Sequence, residues 1–348
     1  MRRLFLLAII IVVLMAALNT ALLVPPPEVT VVGSTMVDLV AMTASLPKQG
    51  ETVFGSKFAQ NYGGKGSNQA VQVSRLGVKV AHVGRVGMDA FGDDYFAQLT
   101  KEGVDTTFMR RSNNGKATGI AVINVEATTG ANTIVIIPGA NEDLHLDDDA
   151  ATAAVAQSNV VITQNEVPRA TTLQALQLAR SSGRVVSIFN PAPVSADLAE
   201  LVGMCDICVP NETELAALTS LPTSTNSDIE AAAQRLLQMG CRVVIATLGD
   251  KGAYVVALGQ AGAFFAAEAV AAVDSTGAGD SFIGTLAACL ARGAPLTRAV
   301  RSALHCATLS VTREGAQKSY AGANDVDDEV RPPPVGAFPF NKDAALRL

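Results

Sequence analysis

Short apolar runs alternate with helical patterns along most of the chain, and this alternation limits the fold more than any other feature. Val29 to Gly33 is β-branched and too short for a helix, whereas 66–76 has the apolar spacing of an amphipathic helix and stops at Gly77. Similar strand-like or helical runs follow at 78–83, 160–163, 173–180, 185–189, 229–239 and 243–247. This order predicts an α/β fold, a three-layer sandwich whose mostly parallel central sheet carries helices on both faces.

Two stretches depart from the alternation. Residues 119–125 and 133–137 are predicted to form apolar strands joined by a Gly-containing turn, and 38–58 is extended and punctuated by glycine and proline. We expect a small β-sheet lid built from about 38–60 and 115–138, a common device for excluding water from a reacting site. The main domain is expected over 29–322, with an N-terminal segment and proline linker before it (1–28) and a tail after it (323–348) that packs little.

The N-terminal segment is the one part that does not fit a plain cytosolic chain. From Leu4 to Val24 it is apolar except for Asn19 and Thr20, and it follows Arg2 and Arg3. Its length is enough to span a bilayer. Three interpretations stay open: a signal-anchor, a targeting peptide that is later removed, and an extension outside the working protein.

Composition excludes two classes of protein. The net charge is −6 and no dense block of lysine and arginine occurs, so a nucleic-acid partner is not expected. Five cysteines in 348 residues do not suggest a disulfide framework. Cys205 and Cys208 form a C-x-x-C without a second pair at zinc spacing, and we interpret them as small apolar strand residues.

The segment from Asp274 to Phe282 is the most informative for chemistry. Its glycines allow a sharp turn before a helix, so the amides of Gly277, Ala278 and Gly279 can point at one anion. Asp280 would repel a phosphate, but its carboxylate suits a general base that takes a proton from a hydroxyl. The alternative is an ordinary glycine-rich turn with Asp280 as a helix cap.

Other polar residues stand next to glycines or at strand ends. Gly63 to Asn68 lacks the spacing of a phosphate-binding P-loop, yet a glycine-flanked Lys65 and Asn68 could hold sugar hydroxyls; the alternative is a plain turn. Thr247 to Gly252 is a second glycine loop that could cover a nucleotide. Asp38 and Glu166 follow predicted strands, where open α/β sheets bind ligands, and each could equally be a solvated charge.

Asn211 and Glu214 admit two interpretations. They fit a capping box at the start of a helix. If they lie at the same sheet edge as the anion-binding turn, they could instead organise hydrated Mg²⁺ and phosphate, because that ion prefers hard oxygen ligands.

Taken together, these segments resemble the ribokinase-like carbohydrate kinase family from about Val29 to Tyr320. Gly63 to Asn68 is similar to its N-terminal signature, and Asp274 to Asp280 to its C-terminal one. The resemblance implies an ATP-dependent kinase that phosphorylates the 5-hydroxyl of a sugar, with ribose the first choice. Alternatives are a fructose derivative or adenosine as acceptor, or a non-catalytic, membrane-tethered sugar-binding protein.

The resemblance also implies residue roles. Asp280 would be the base, the amides of Gly277, Ala278 and Gly279 would stabilise the migrating phosphoryl group, and Glu214 would help to place Mg²⁺. The sugar would be held, together with Asp280, by Asp38, Gly64, Lys65, Asn68 and Glu166. ATP would lie along Asn211, Thr247, Leu248, Gly249, Asp250, Lys251, Gly252 and Gly279. An activating K⁺ would be held by Asp274, Thr276, Ser310, Arg313, Gly315 and Ser319, several through backbone carbonyls.

Two departures from the family pattern are visible. Met36 stands where many members have a polar residue near the sugar, and Leu304 where relatives often carry Asn or His against the nucleotide. The resemblance further implies a homodimer formed through the lid, and the apolar lid residues Ile120, Val122, Ile134 and Ile136 fit burial at such a contact; packing onto their own sheet explains them equally well. A cytoplasmic location, with the nucleus as a further one, is expected; the alternative is a membrane anchor at Leu4 to Val24.

Overall fold

The structure is a computed structural model, and it describes residues 26–348. The segment Leu4 to Val24, with its three interpretations, lies outside the described residues. Within 26–348, no helix combines the length and the apolar character needed to cross a membrane.

The central element is an eight-stranded sheet in the order β14-β13-β12-β11-β10-β9-β1-β4. Six neighbouring strands are parallel, and β13 and β14 add an antiparallel edge. The strands are β1 (Val29–Val32), β4 (Val80–Val83), β9 (Val160–Thr163), β10 (Val186–Phe189), β11 (Ile207–Cys208), β12 (Val243–Thr247), β13 (Ala253–Ala257) and β14 (Ala263–Phe265). The predicted, mostly parallel central sheet is confirmed.

Helices cover both faces of this sheet, because successive strand residues point to opposite sides. Val243 and Ile245 pack into one core cluster with Phe282 and Leu286, whereas Val244 packs into another. The helices are α1 (Lys65–Arg75), α2 (Ala90–Lys101), α3 (Asp149–Gln157), α4 (Arg169–Ser182), α5 (Ala199–Met204), α6 (Glu212–Thr219), α7 (Asn226–Met239), α8 (Ala278–Ala291), α9 (Leu296–Val311) and α10 (Lys342–Ala345).

A separate four-stranded sheet forms the lid, in the order β3-β2-β7-β8. Its strands are β2 (Met36–Thr43), β3 (Gly55–Gly63), β7 (Gly119–Glu126) and β8 (Asn132–Ile137). A small separate sheet was predicted from these regions, and the structure places its strands within 36–63 and 119–137. A short parallel pair, β5 (Arg85–Val86) and β6 (Arg110–Arg111), completes the strands.

One buried side chain ties together the strands that enter and leave the lid. Asn141 is fully buried and lies after β8; its Oδ1 accepts from the Thr35 amide at 2.8 Å, and its Nδ2 donates to the Thr35 carbonyl at 2.9 Å. The same Nδ2 donates to the Pro138 carbonyl at 2.9 Å. Since Thr35 precedes β2, a single carboxamide fixes the base of the lid.

The C-terminal residues pack against the domain, unlike the loosely packed tail that we expected. Val326, Ala345 and Leu346 are buried in the main core cluster. Lys342 lies 2.9 Å from the carboxylate of Asp206, which stands just before β11. Apolar and charged contacts together hold α10 against the sheet.

Candidate active site

The carboxyl ends of the parallel strands meet the start of α8 around a polar cavity of about 200 Å³. Seven of the residues singled out in the sequence line it, together with four that were not. The lining comprises Lys65, Asn211, Glu214, Thr247, Gly277, Gly279 and Asp280, with Asn190, Ala192, Val209 and Ile283. Residues far apart in sequence are thus brought to the edge at which open α/β sheets bind ligands.

The turn before α8 is held in a left-handed conformation by packing. Gly277 is the N-cap of α8 with φ of 76°. A Cβ there would lie 2.5 Å from Tyr320 Oη, which donates to the Gly277 carbonyl at 3.0 Å. Glycine is therefore required at position 277 for both its backbone angle and its space.

The amides of this turn are not all free to bind an anion. The Ala278 amide donates to the Ser275 carbonyl at 3.2 Å. The amides of Gly277 and Gly279 have no backbone acceptor within 26–348. Two of the three predicted donors remain available at the positive end of α8.

Asp280 lies in the first turn of α8, is 7% exposed and is held by two side-chain amides of α1. Asn68 Nδ2 donates to its Oδ2 at 3.0 Å, and Gln69 Nε2 donates to its Oδ1 at 2.8 Å. Each carboxylate oxygen therefore has one protein donor on the side of α1. Its remaining lone pairs can accept from a group in the cavity.

Glu166 joins the first strand to the start of α1. Its Oε2 accepts from the Ser34 hydroxyl and, at 3.0 Å, from the Lys65 amide. The amide belongs to the first residue of α1, so the carboxylate occupies a favourable position at the helix N-terminus. Glu166, Lys65 and the loop after β1 form one connected unit.

Acidic groups outnumber basic ones around the cavity. Burial would lower the pKa of Lys65, but the carboxylates of Asp280, Glu166 and Glu214 outweigh it, so this pKa is raised. Burial also raises the pKa of Glu166 and of Glu214, and Lys65 opposes both shifts. A further cation would balance the negative charge.

Asp38 lies on the first lid strand and faces the same sheet side as Met36, because residues two apart in a strand share a face. A Cβ on Gly63 would lie 2.3 Å from Asp38 Oδ2, so the carboxylate packs on a bare backbone. Burial, and then the charges of Glu166 and Asp280, raise the pKa of Asp38 to about 7. Met36 itself is 4% exposed.

Asn211 and Glu214 form the capping box that was one of their two interpretations. Asn211 Oδ1 accepts from the Glu214 amide at 2.8 Å, and Glu214 Oε2 accepts from the Asn211 amide at 2.9 Å. Both residues also line the cavity. Since the cap uses one oxygen of each side chain, Asn211 Nδ2 and Glu214 Oε1 are left for a ligand.

The loop from Thr247 to Gly252 lies beside this cap. Thr247 pairs with Asn211 in an isolated parallel bridge, and Lys251 Nζ lies 3.2 Å from Glu212 Oε1. Gly252 has φ of 104°, and a Cβ there would lie 1.9 Å from the Phe265 carbonyl. Leu248 is buried in a core cluster, so only its backbone could face a nucleotide.

A second cavity, of about 500 Å³, lies between β14 and α9. Phe265, Leu304 and Arg301 line it, and His305 Nδ1 lies 2.8 Å from Glu268 Oε1 at its rim. Leu304 was singled out as a departure from the family pattern, and its apolar side chain faces this space.

Asp274 joins the turn before α8 to the loop after α9. Its Oδ1 accepts from the Thr276 amide at 2.9 Å, and its Oδ2 from the Gly315 amide at 2.8 Å. The Arg313 amide donates to the Ser310 carbonyl at 3.2 Å, and Ser319 is buried nearby in sequence. Of the six residues predicted to hold a monovalent cation, Asp274 and Thr276 thus precede α8, Ser310 lies in the last turn of α9, and Arg313, Gly315 and Ser319 follow that helix.

Several residues of the site were not predicted from the sequence. Gln69, Gln317 and Tyr320 hold Asp280, Asn68 and Gly277, and Asn190 lines the cavity after β10. Gln69 is a fully buried amide and therefore needs a polar partner, but the neighbouring buried amides Asn68 and Gln72 left no sequence signal that singled it out. Tyr320 gave none, because its partner lies 43 residues away.

The sequence was compared with protein-family models and with known proteins, and the matches are carbohydrate kinases. The model of the pfkB family carbohydrate kinases matches residues 26–321. The ribokinase of Mus musculus is 42% identical over 303 residues, covering 86% of this chain and 93% of the relative. The deoxyribokinase of Salmonella typhi is 38% identical over 295 residues, covering 84% and 95%.

A solved structure shows the same architecture. The Arabidopsis thaliana ribokinase, complexed with ribose and ATP, superposes with a TM-score of 0.82 at 31% identity. The match covers 88% of this chain and 99% of that one.

Proposed function

The chain belongs to the pfkB family of carbohydrate kinases, and we propose that it transfers the γ-phosphate of ATP to the 5-hydroxyl of D-ribose. The observation that carries the proposal is the placement of Asp280. Its carboxylate is held at the mouth of the Gly277 turn and inside the cavity that Lys65 also lines.

The chemical step needs a base and stabilisation of charge. Asp280 accepts the proton of the 5-hydroxyl while that oxygen bonds to the γ-phosphorus. The bond from phosphorus to the bridging oxygen breaks, ADP leaves with the electron pair, and the products are ribose 5-phosphate and ADP. The amides of Gly277 and Gly279 donate to the phosphoryl oxygens as charge builds up on them.

We assign the sugar to the space between the lid and α1. Asp38 and Glu166 would accept from its hydroxyls, and Lys65 and Asn68 would donate to its oxygens. Gly64, with φ of 84°, allows the backbone to approach the ring closely. Support comes from the hydrogen bond of the Lys65 amide to Glu166 and from the electrostatic attraction between Lys65 and Asp280 around this space.

ATP is assigned to the other side of Asp280. Its phosphates would meet Asn211, Gly279 and the Thr247 to Gly252 loop, and its base would occupy the second cavity against Leu304 and Phe265. Within 26–348 no three His, Cys, Asp or Glu side chains form a ready metal site. Mg²⁺, which usually keeps waters and binds through substrate phosphates, would therefore arrive with ATP and meet Glu214.

A monovalent cation, K⁺ in the first instance, is proposed for the two loops joined by Asp274. Backbone carbonyls of Thr276, Arg313 and Gly315 are the main donors, with Asp274, Ser310 and Ser319 supporting the loops. Because carbonyls would bind the ion, the positive charge of Arg313 can point to solvent, where that residue is exposed. Bound K⁺ would then fix the turn that carries the Gly277 and Gly279 amides.

A homodimer formed through the lid is proposed from the exposure of β8. All six residues of this edge strand are exposed, including Ile134 at 52% and Ile136 at 48%. Natural proteins rarely leave a long apolar edge strand open. A second copy of the lid would cover it. Because the reaction consumes ATP, we place it in the cytoplasm.

A second acceptor, 2-deoxyribose, is favoured by Met36. This buried thioether lies on the same strand face as Asp38, cannot donate a hydrogen bond and is only a weak acceptor for a hydroxyl. A sugar lacking one hydroxyl would lose less there than ribose does. The deoxyribokinase of Salmonella typhi is also among the similar relatives.

The test is a steady-state assay with MgATP and D-ribose, 2-deoxyribose, fructose or adenosine, in K⁺ or Na⁺. We expect the highest kcat/KM with one of the two pentoses, higher rates in K⁺, and loss of at least about 10³-fold in kcat for Asp280→Asn. Preference for adenosine or fructose would refute a pentose as the phosphoryl acceptor. An active Asp280→Asn protein would refute Asp280 as the general base.

A further inference from the structure

We infer that Gln69 is a positioning residue that sets the orientation of Asp280 for phosphoryl transfer. This inference rests on the proposed function, in which Asp280 is the base. Gln69 does not line either cavity; it is fully buried behind Asp280 on α1.

The hydrogen bonds of Gln69 can run in only one direction. A carboxylate only accepts, so Gln69 must present Nε2 to Asp280 Oδ1, at 2.8 Å. Its Oε1 must then face the other way, where it accepts from Gln164 Nε2 at 2.6 Å. Gln164 follows β9, so a chain of two amides runs from the central sheet to the carboxylate.

A second chain of amides ends on the other carboxylate oxygen. Asn68 Nδ2 donates to Asp280 Oδ2, and Asn68 Oδ1 accepts from Gln317 Nε2 at 3.0 Å. The same Nε2 lies 3.1 Å from Tyr95 Oη, which donates to the carbonyl of Gly63 at the end of β3. Asp280 is thus gripped from two sides, and neither oxygen can rotate without breaking a bond.

The two series of hydrogen-bonded amides differ in their contacts with the proposed substrate. Asn68 stands beside the proposed sugar space, so its loss would change both sugar binding and the base. Gln69 reaches only Asp280 and Gln164, both buried or nearly so. Its loss should therefore leave substrate binding intact and lower the rate of the chemical step, because small misplacement of a reacting group is costly.

The experiment compares two substitutions on one helix in the full chain. Gln69→Met keeps the length of the side chain and removes its donor. Gln72→Met is the matched control: Gln72 is also fully buried on α1, accepts from the Ser281 hydroxyl at 2.9 Å and donates to the Ala321 carbonyl at 3.1 Å, but it has no contact with Asp280. Melting temperature, kcat and both KM values are measured for each, with Asp280→Asn alongside.

We expect Gln69→Met to lower kcat by about 10- to 100-fold with both KM values changed by less than about threefold. Gln72→Met should lower the melting temperature comparably and leave kcat within about threefold. If Gln69→Met does not fold, Gln164→Met removes the orienting donor without touching Asp280 and should lower kcat by about 3- to 10-fold.

Other outcomes overturn the inference. Equal kcat losses in Gln69→Met and Gln72→Met, or a loss confined to KM, would show that Gln69 is only a packing residue. If Asp280→Asn abolishes turnover while Gln69→Met does not affect it, the inference fails and the proposed function stands. If Asp280→Asn remains active, the proposed base itself is wrong.

Discussion

Asn68 Nδ2 donates to Asp280 Oδ2 at 3.0 Å, although 212 residues separate the two in sequence. The contact joins the N-terminal glycine-rich segment to the C-terminal one. It means that the side chain at position 68 must offer a donor to a carboxylate and, through Oδ1, an acceptor to Gln317.

The first prediction concerns replacement of the donating amide of Asn68 by a carboxylate, which can only accept. Asn68→Asp would place two carboxylates about 3 Å apart, and like charges at that distance cannot both stay ionised. We expect Asn68→Asp to lose about tenfold more kcat than Asn68→Ala, measured with saturating ATP and sugar. Asn113→Asp, at an exposed position, is the control. A weaker effect of aspartate than of alanine would contradict the assigned contact.

The second prediction concerns Asp38 and pH. Its pKa is about 7 in the folded protein against 3.8 for an ordinary aspartate, so the folded state holds a proton that the unfolded state has lost between those values. The contribution of Asp38 to the free energy of unfolding is fully present below about pH 4 and is lost as the pH rises through 7. The ligand-free protein should therefore become less stable between pH 5 and 8.

Replacing this side chain should remove the effect. We expect Asp38→Asn to raise the free energy of unfolding at pH 8, by on the order of 1 kcal/mol, and to flatten its dependence on pH. Urea unfolding at pH 5, 6, 7 and 8 measures this. Glu230→Gln, at an exposed site, should keep the parent's profile. An unchanged profile in Asp38→Asn would exclude Asp38 as its source.

The third prediction tests acceptor choice at Met36. An amide at this position could donate to and accept from a sugar hydroxyl, whereas the thioether is only a weak acceptor. We expect Met36→Asn to raise the ratio of kcat/KM for ribose to that for 2-deoxyribose by about tenfold. Met42→Asn, on the same strand face but farther from the start of β2, should leave the ratio unchanged. A ratio equal in parent and Met36→Asn would place Met36 outside the sugar site.

The fourth prediction concerns Arg75, which anchors the loop that ends at Tyr320. Its Nε and Nη2 each lie 2.8 Å from the Glu102 carboxylate, and its Nη1 donates to the Tyr320 carbonyl at 3.0 Å. Arg75→Ala leaves a largely buried carboxylate without its charged partner, with only the Gln98 amide still donating to it, so we expect a loss of about 2 kcal/mol of stability. Thermal denaturation of the ligand-free protein measures it, and Lys251→Ala, at an exposed pair with Glu212, should change little.

The fifth prediction tests the lid as an interface. Charged groups on β8 should prevent a second lid from covering this strand, because burying an unpaired charge is costly. We expect the parent to sediment as a dimer and Ile134→Glu/Ile136→Glu as a monomer. Val335→Glu, at a residue 78% exposed outside the lid, should remain dimeric. A parent protein that is monomeric at micromolar concentration would refute the proposed dimer.

Local patterns were enough to predict the layers of the fold and the main segments of the site. The alternation of strands and helices depends on near neighbours in sequence, and so does the glycine-rich start of α8. The start of the lid was less well predicted, since β2 begins at Met36, directly after Thr35, whose hydrogen-bond partner Asn141 lies more than a hundred residues later.

Contacts over long sequence distances could not be predicted in the same way. Nothing near Asn68 shows that Gln317 donates to it, and nothing near Gln69 shows that its partner is Asp280. The capping box of Asn211 and Glu214 was visible because both ends lie within one helical turn. The number of residues between two contact partners therefore decided whether their contact could be predicted from the sequence.

Because Asn141 bonds both backbone groups of Thr35, one end of the lid is fixed, and the lid can turn as a unit about this point. Strand β7 has eight residues and so extends about 26 Å from this point. A rotation of the lid by about 5° about this fixed point would move the far end of β7 by roughly 2 Å, while the groups beside Asp280 would shift far less. A sugar could thus be admitted by a swing of the outer strands that leaves the reacting carboxylate in register.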